Sequence, residues 1–208
     1  MCSIFGSFDK DEFFELALIN LYRGSHSHSI AAYDPVSGDL NIIQKEFGSL
    51  EKVDLPDNCY YIGHQQAPTT DAKDMNAIHP AYNNGVFLWH NGIIKQHQVD
   101  KWKTEYNSSR EWDTEWLAIL IAEKGFDVLN TVDGSFACLM YEPTTKQLRV
   151  FRNDNCPLHI SNASVSSTAF NSSCNIDSGA VYMLKEGEWE KSNTRFSTSI
   201  STFYWMPE

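Results

Sequence analysis

Short runs of β-branched and aromatic residues, joined in pairs by turn residues, constrain the fold of this chain most. Ser29–Tyr33 and Leu40–Gln44 flank a turn-like Asp-Pro-Val-Ser-Gly segment, and Phe136–Tyr141 and Leu148–Phe151 flank Glu-Pro-Thr-Thr-Lys. Because Pro, Gly, Asp and Ser favour turns between such runs, each pair predicts a β-hairpin. Similar runs, without such a clear partner, are Cys59–His64, Val86–His90 and Val181–Leu184.

Two segments, Lys10–Tyr22 and Thr114–Lys124, have the periodicity of amphipathic helices, because their apolar residues recur three and four positions apart. Asp113 occupies the expected N-cap of the second helix, and Gly125 follows its expected end. Since strands outnumber helices and follow one another through hairpins, we predict an α+β fold with antiparallel sheets.

Two polar stretches predict surface segments. Ser161–Ser178 is rich in Ser, Asn and Thr and is predicted to be a surface loop. The tail 192–208 begins with a similar composition but ends in the aromatic cluster Phe203–Trp205, which we expect to pack on the body of the protein.

Composition limits the function classes. The 208 residues suit one domain spanning 1–208, and a charged fraction of 21% excludes global disorder. The net charge of −11 argues against binding nucleic acid through its phosphates. The chain has no apolar run of transmembrane length and no signal-peptide pattern. Its five cysteines form no Cys-x-x-Cys pair, which predicts reduced thiols in the cytoplasm.

Cys2 is the first candidate for chemistry. Removal of Met1 would place a thiol and a free α-amine on the same residue. An α-amine with a reference pKa of about 7.7–8.0 can accept the proton of the thiol near neutral pH. This pair is an N-terminal nucleophile, although a cysteine at position two also occurs by accident.

Asn91 and Gly92 follow a predicted strand and allow two interpretations. Asn-Gly favours a tight turn, whereas an Asn side-chain amide and a Gly backbone N–H together can form an oxyanion hole. Asp113 likewise suits either a helix cap or a carboxylate that binds a substrate ammonium. The histidines His26 and His28 lie in a Ser-His-Ser-His-Ser run, but no second ligand cluster accompanies them, so we predict no metal site.

An ordered set of motifs over roughly residues 1–160 resembles the class II glutamine amidotransferase domain, the N-terminal-cysteine glutaminase found in asparagine synthetase and glucosamine-phosphate synthase. The motifs are MCSIFG (1–6), YRG (22–24), GHQQAPT (63–69), HNGII (90–94), DTE (113–115) and DGSFA (133–137). This resemblance implies a four-layer αββα sandwich of two antiparallel sheets, the fold of N-terminal nucleophile (Ntn) hydrolases.

The resemblance also implies roles for individual residues. Cys2 would attack the side-chain amide of glutamine, and Asn91 and Gly92 would bind the oxyanion. Asp113 would bind the α-ammonium of the substrate. Thr69 and Arg23 match family positions beside the substrate and the nucleophile, and no cofactor is implied.

Three positions depart from the family pattern. Ser3 replaces a glycine, and His26 replaces the acid of an Arg-Gly-x-Asp-Ser motif. Gln66 occupies a substrate-binding position where many members have an arginine for the α-carboxylate of glutamine. A neutral amide cannot fully replace a bidentate cation, so this departure bears most on substrate choice.

The leading hypothesis is a stand-alone glutaminase module that supplies ammonia to a separate acceptor or synthetase subunit, because the sequence given stops at Glu208 without an acceptor domain. One alternative is an Ntn-type cysteine amidase for a different amide, and another is a non-catalytic binding or regulatory relative. The Arg-Gly-Ser-His-Ser stretch is similar in composition to small amidotransferase-like proteins of tailed phages, which would place the protein in a host cytoplasm.

Overall fold

A computed structural model describes residues 2–67 and 75–198 of the chain. This part contains three α-helices, α1 (Lys10–Asn20), α2 (Gln96–Glu105) and α3 (Asp113–Lys124). Short 3-10 turns cover Leu21–Arg23, Met75–Ala77 and Gly125–Thr131. The strands are β1 (Ser3–Ser7), β2 (Ser27–Tyr33), β3 (Leu40–Phe47), β4 (Tyr60–Gln66), β5 (Ala81–Asn83), β6 (Val86–Ile94), β7 (Gly134–Glu142), β8 (Gln147–Arg152), β9 (His159–Ser161), β10 (Ser164–Ser166), β11 (Cys174–Asn175), β12 (Ala180–Lys185) and β13 (Glu188–Arg195).

The described strands form two antiparallel sheets. The first has seven strands in the order β11-β9-β10-β1-β4-β2-β3, and the second has six in the order β13-β12-β8-β7-β6-β5. The hairpins predicted at β2–β3 and β7–β8 are both present, and β12 pairs with β13 after the turn at Gly187. The prediction of an α+β fold with antiparallel sheets is therefore confirmed.

Alternating side chains give the central strands two buried faces. On β4, Tyr60 and Ile62 pack between the two sheets, whereas Tyr61 packs with Phe13 of α1 on the outer face. The second sheet likewise points Leu139 of β7 towards the first sheet. Because successive strand residues point to opposite faces, a strand covered on both sides has apolar residues at consecutive positions, as in 60–62 of β4.

The helices complete a four-layer αββα arrangement. On one outer side, α1 packs against the first sheet through Phe13 and Leu16. On the other, α2 and α3 cover the second sheet, with Trp116 of α3 fully buried beside Trp102 of α2. The four-layer prediction is confirmed, and no helix of the described residues is long and apolar enough to span a membrane.

The ends of the helices differ in part from expectation. The predicted N-cap at Asp113 is wrong, because Trp112 is the cap residue and Asp113 is the first residue of α3. The carboxylate of Asp113 accepts a hydrogen bond from the backbone of Ile94 instead of capping its own helix. Gly125 ends α3 with φ of 68°, a conformation that glycine adopts readily.

The prediction of a surface loop over Ser161–Ser178 is wrong. The segment contributes to β9, β10 and β11, and Val165 is fully buried. Its polar composition is tolerated because the serine hydroxyls are paired: Ser164 donates to Glu12, and Ser166 accepts from Asn20.

The tail and the second helix also differ from the sequence interpretation. Residues 192–195 belong to β13, and Phe196 is buried against the core beneath α3. The aromatic cluster Phe203–Trp205 lies outside the described residues. Helix α2 was not predicted, because only Val99 and Trp102 give it an apolar face.

Because the side chains between the two sheets are closely packed, we expect a cavity among them to lower the stability of the fold. Leu139→Ala removes a fully buried side chain from this core and should lower the free energy of unfolding by about 2–5 kcal/mol. Leu18→Ala deletes the same atoms from a side chain that is 70% exposed and should change it by less than about 1 kcal/mol. Urea denaturation measures both, and equal losses would contradict the assignment of the core.

Candidate active site

A cleft of about 580 Å³ opens where the ends of both sheets meet the starts of α2 and α3. Residues far apart in the sequence line it together, among them Cys2, Gln66, Gly92 and Asp113. The cleft therefore unites residues that the sequence singled out in four separate motifs.

Cys2 directly precedes β1 and is largely buried at 8% exposure. Its carbonyl oxygen accepts a hydrogen bond of 3.0 Å from Nε of Arg23, which is itself buried. Burial raises the pKa of the Cys2 thiol, and a backbone hydrogen bond from Ala67 acts in the opposite direction. The thiol therefore stays protonated near neutral pH and requires a base before it can act as a nucleophile.

Asn91 and Gly92 lie inside β6, so the interpretation of this pair as a tight turn is wrong. Gly92 lines the cleft with φ of 152°, and a Cβ at this position would lie 2.0 Å from the carbonyl oxygen of Ser135. A side chain is excluded there, which leaves the backbone accessible to a bound group.

The side chain of Asn91 is almost completely buried and donates a hydrogen bond of 3.3 Å to Oγ of Ser167. The same Oγ accepts from the backbone N–H of Ile4, and the backbone N–H of Ser167 donates to the carbonyl of Ile4. Ser167 therefore connects Asn91 to the strand that follows Cys2. The sequence offered no signal for this residue, because it lies in the Ser-rich stretch interpreted as a loop.

Asp113 presents a partly exposed carboxylate to the cleft at the first turn of α3. One oxygen accepts a hydrogen bond of 3.0 Å from the backbone of Ile94. The other lies 3.3 Å from the hydroxyl of Thr114 and 3.9 Å from Nδ1 of His90. The carboxylate is thus fixed in orientation by neutral donors and keeps its negative charge available to a cationic ligand.

A buried hydrogen-bond network connects Gln66 to the start of α3. His79 lies between them, with Nδ1 at 3.3 Å from Oε1 of Gln66 and Nε2 at 3.2 Å from Oγ of Thr114. Nδ1 of His90 approaches the same Thr114 oxygen at 3.1 Å. The roles of His79 and Thr114 were not predicted, since nothing in their local sequence indicates these long-range contacts.

Burial keeps the histidines His64 and His79 neutral. The ring of His64 stacks on that of His79 at 3.8 Å between centroids, and both are buried. Desolvation lowers the pKa of His64 to about 3 and holds the pKa of His79 well below its usual range. His64 and His79 therefore add no positive charge to the site at neutral pH.

The other predicted site residues have different positions. Arg23 contacts the backbone of Cys2 and is not among the residues that line the cleft. Thr69 lies outside the described residues. His28 is buried with Nδ1 at 2.9 Å from the carbonyl oxygen of Gly48. Within residues 2–67 and 75–198, no three His, Cys, Asp or Glu side chains are grouped as metal ligands.

Comparison with known protein families gives a match to the one described as glutamine amidotransferase domain, over residues 67–176, more than half of the chain. The chain belongs to the glutamine amidotransferase domain family. Comparison with curated proteins found no match.

Two solved structures share the fold of this amidotransferase domain. Glutamine phosphoribosylpyrophosphate amidotransferase from B. subtilis, solved with ADP and GMP, superposes with a TM-score of 0.69 at 20% identity. The match covers 96% of this chain but only 50% of that enzyme. A glutamine aminotransferase class-II domain protein from Silicibacter pomeroyi matches with a TM-score of 0.53 at 9% identity, over 94% of this chain and 100% of that one. These similarities show the class II fold.

Because of the close contact at Gly92, we expect any side chain at this position to destabilise the fold strongly. Gly92→Ala should lower the free energy of unfolding by more than about 2 kcal/mol, because Cβ would overlap the Ser135 carbonyl. Gly85→Ala is the matched control, since Gly85 also has a positive φ but open space around it, and should cost about 1 kcal/mol. Thermal or urea denaturation would refute the steric argument if both variants lost the same amount.

Because His64 is neutral in the folded protein, we expect the free energy of unfolding to fall in acid. The unfolded chain binds a proton on this imidazole below about pH 6.5, whereas the folded chain does so only near pH 3. The stabilising contribution is therefore complete above pH 6.5 and is lost as the pH falls towards 3, by up to about 5 kcal/mol.

Urea denaturation between about pH 7 and pH 4 measures this dependence. His64→Gln should reduce it rather than abolish it, because the contribution of buried His79 remains. His97→Gln, at a 67% exposed ring, should leave it unchanged. An identical pH dependence in His64→Gln and the parent protein would exclude His64 as its source.

Proposed function

We propose that this chain hydrolyses the side-chain amide of glutamine through a thioester on Cys2 and supplies the ammonia to a separate acceptor subunit. One observation carries the proposal: Cys2, Gly92 and Asp113 come from three distant parts of the sequence and line a single cleft. A nucleophile, an oxyanion donor and an ammonium-binding carboxylate are the groups that this hydrolysis needs.

The first step uses the two functional groups of Cys2. Once Met1 is removed, the α-amine accepts the proton of the thiol, and the sulfur forms a bond to the amide carbon of glutamine. Burial raises the pKa of this thiol, which supports the need for a base on the same residue. The tetrahedral oxyanion accepts hydrogen bonds from the backbone N–H of Gly92 and the side-chain amide of Asn91.

The second step releases both products. The carbon–nitrogen bond breaks, the α-amine returns its proton to the leaving nitrogen, and ammonia departs. A water molecule then attacks the γ-glutamyl thioester, so that glutamate leaves and the Cys2 thiol is restored. Ser167 supports this chemistry indirectly, because its hydrogen bond orients the Asn91 amide relative to β1.

Substrate recognition is assigned to the walls of the cleft. Asp113 binds the α-ammonium of glutamine, since its oxygens are held by neutral donors and its charge is free to pair. Gln66 and Thr69 are proposed as further substrate contacts. Arg23 acts as a positioning residue, because it binds the carbonyl oxygen of Cys2 rather than lining the cleft.

The acceptor must contain a carbon that ammonia can attack, and the structure assigns no such site to the described residues. The chain spans about half the length of the B. subtilis amidotransferase. We propose that a separate subunit binds the acceptor. A cytoplasmic location is proposed, as the five cysteines are all free thiols.

Intact mass measurement with a diazo-ketone analogue of glutamine tests the proposal. The untreated protein should lack Met1, and the treated protein should gain one adduct that peptide mapping places on Cys2. Cys2→Ala should lose the adduct and reduce ammonia release by about a thousandfold or more. Cys174→Ala, at an exposed thiol outside the cleft, is the matched control and should retain both.

Three outcomes would contradict this assignment. Retention of Met1 in an inactive protein would block the α-amine and favour a non-catalytic relative. Full ammonia release by Cys2→Ala would exclude Cys2 as the nucleophile. Removal of Met1 without an adduct, combined with hydrolysis of another amide, would favour the amidase alternative.

A further inference from the structure

His26 lies beside Gln66 on one wall of the cleft. Its backbone N–H donates a hydrogen bond of 3.0 Å to the carbonyl oxygen of Gln66, and the next residue, Ser27, pairs with Gln66 in the β2–β4 ladder. Both His26 and Gln66 line the cleft. The imidazole packs edge to face on Phe47 at 5.6 Å between centroids, which fixes the plane of the ring.

The ring of His26 has hydrogen-bonding capacity that its described surroundings do not use. Its Nδ1 is shielded from solvent and has no hydrogen-bond partner among the residues that the structure describes. A buried polar atom without a partner is costly, and in a native protein it calls for an explanation, such as a functional role or a bound water or ion. His26 takes no part in the thioester chemistry proposed above.

The other histidines in the cleft are already occupied. His79 uses Nδ1 for Gln66 and Nε2 for Thr114, and burial holds its pKa well below the usual range. His90 uses Nδ1 for Thr114 and approaches the carbonyl oxygen of Ser135 with Nε2 at 3.4 Å. Among the described cleft residues there is no lysine or arginine, and the histidines are these two and His26. His26 is therefore the one with both charge capacity and a free ring nitrogen.

We propose that the imidazolium of His26 binds the α-carboxylate of glutamine, while Asp113 binds the α-ammonium. The proposal rests on the glutaminase function proposed above and assigns a recognition residue that the reaction itself does not require. Gln66 cannot supply the charge, because it is a neutral amide whose Oε1 already faces Ser27 and His79. An ionised donor gives a stronger hydrogen bond to a carboxylate than a neutral one does.

This assignment makes recognition of the carboxylate dependent on pH, since only the protonated imidazole carries a charge. The elements around His26 contribute the aromatic ring of Phe47 and the backbone of Gln66. The cleft's other acids include Glu111, which pairs with Lys103, and Glu115, which pairs with Arg110. The titratable residues of the cleft besides His26 are Cys2, His79, His90, Glu111, Asp113 and Glu115.

Equilibrium binding to the Cys2→Ala protein tests the proposal without turnover. Calorimetry compares L-glutamine with L-glutaminamide, which keeps the ammonium and the side-chain amide but has no carboxylate. His26→Gln should weaken glutamine binding by about tenfold or more and glutaminamide binding by less than about twofold. His26→Arg, which restores a positive charge, should recover glutamine binding.

Two controls separate a specific role from a structural one. His97→Gln alters a histidine that is not among the cleft residues and should leave both affinities unchanged. With His26 in place, glutamine binding should weaken as the pH rises, and this dependence should be absent in His26→Arg, whose charge does not titrate.

The possible results differ clearly. A loss restricted to glutamine, with recovery in His26→Arg, supports the assignment. Equal losses for both ligands, or no loss for either, would overturn it while leaving the glutaminase proposal intact. If the Cys2→Ala protein bound neither ligand although the parent protein formed the diazo-ketone adduct on Cys2, the role of His26 would be excluded and the nucleophile retained. If that adduct were also missing, the glutaminase proposal itself would fail.

Discussion

The antiparallel pairing of β1 between β4 and β10 is the interaction on which the site depends. All five residues of β1 are buried, and Ser3 lies opposite Gln65 in the register with β4. This register places Cys2 at the end of the strand, near the end of β4 where Gln66 lies. On the other side of β1, Ser167 follows β10, and its Oγ accepts hydrogen bonds from Ile4 of β1 and from Asn91. These bonds fix the side chain of Asn91 relative to β1. A slip of one residue in either pairing would move these groups to the opposite face.

Neutral hydrogen bonds, rather than ion pairs, hold the inner wall of the cleft. A charged group in this position would lose its hydration, and unpaired burial of an ion costs more than one hydrogen bond returns. His79 avoids that cost because it forms neutral hydrogen bonds with Gln66 and with Thr114. Asp113 lies next to this wall, and its partly exposed carboxylate remains hydrated at the cleft.

The sequence predicted the parts of the fold and site that local patterns determine. Turn residues between apolar runs revealed the hairpins, and the spacing of Phe13 and Leu16 revealed α1. Cys2, Gly92 and Asp113 were recognised within short motifs, and the structure places them at one cleft. Ser167 and His79 were missed, because their importance arises from contacts with Asn91 and Gln66 that are distant along the chain. Strand β10 was not predicted, because its two serines have the composition of a polar loop. Both hydroxyls form hydrogen bonds in the structure, which allows the strand to be buried.

The two sheets contribute different parts of the proposed substrate recognition. The first sheet supplies Cys2, His26 and Gln66, whereas β6 and the start of α3 supply Gly92 and Asp113. A glutamine molecule bound in this way would connect the two sheets. Its ammonium would pair with Asp113 at the start of α3, and its carboxylate would pair with His26, just before β2. His79 joins Gln66 to Thr114, so the two walls are connected by hydrogen bonds even before substrate binds. The spacing of the proposed ammonium and carboxylate sites would thus be set by packing between the sheets, not by either sheet alone.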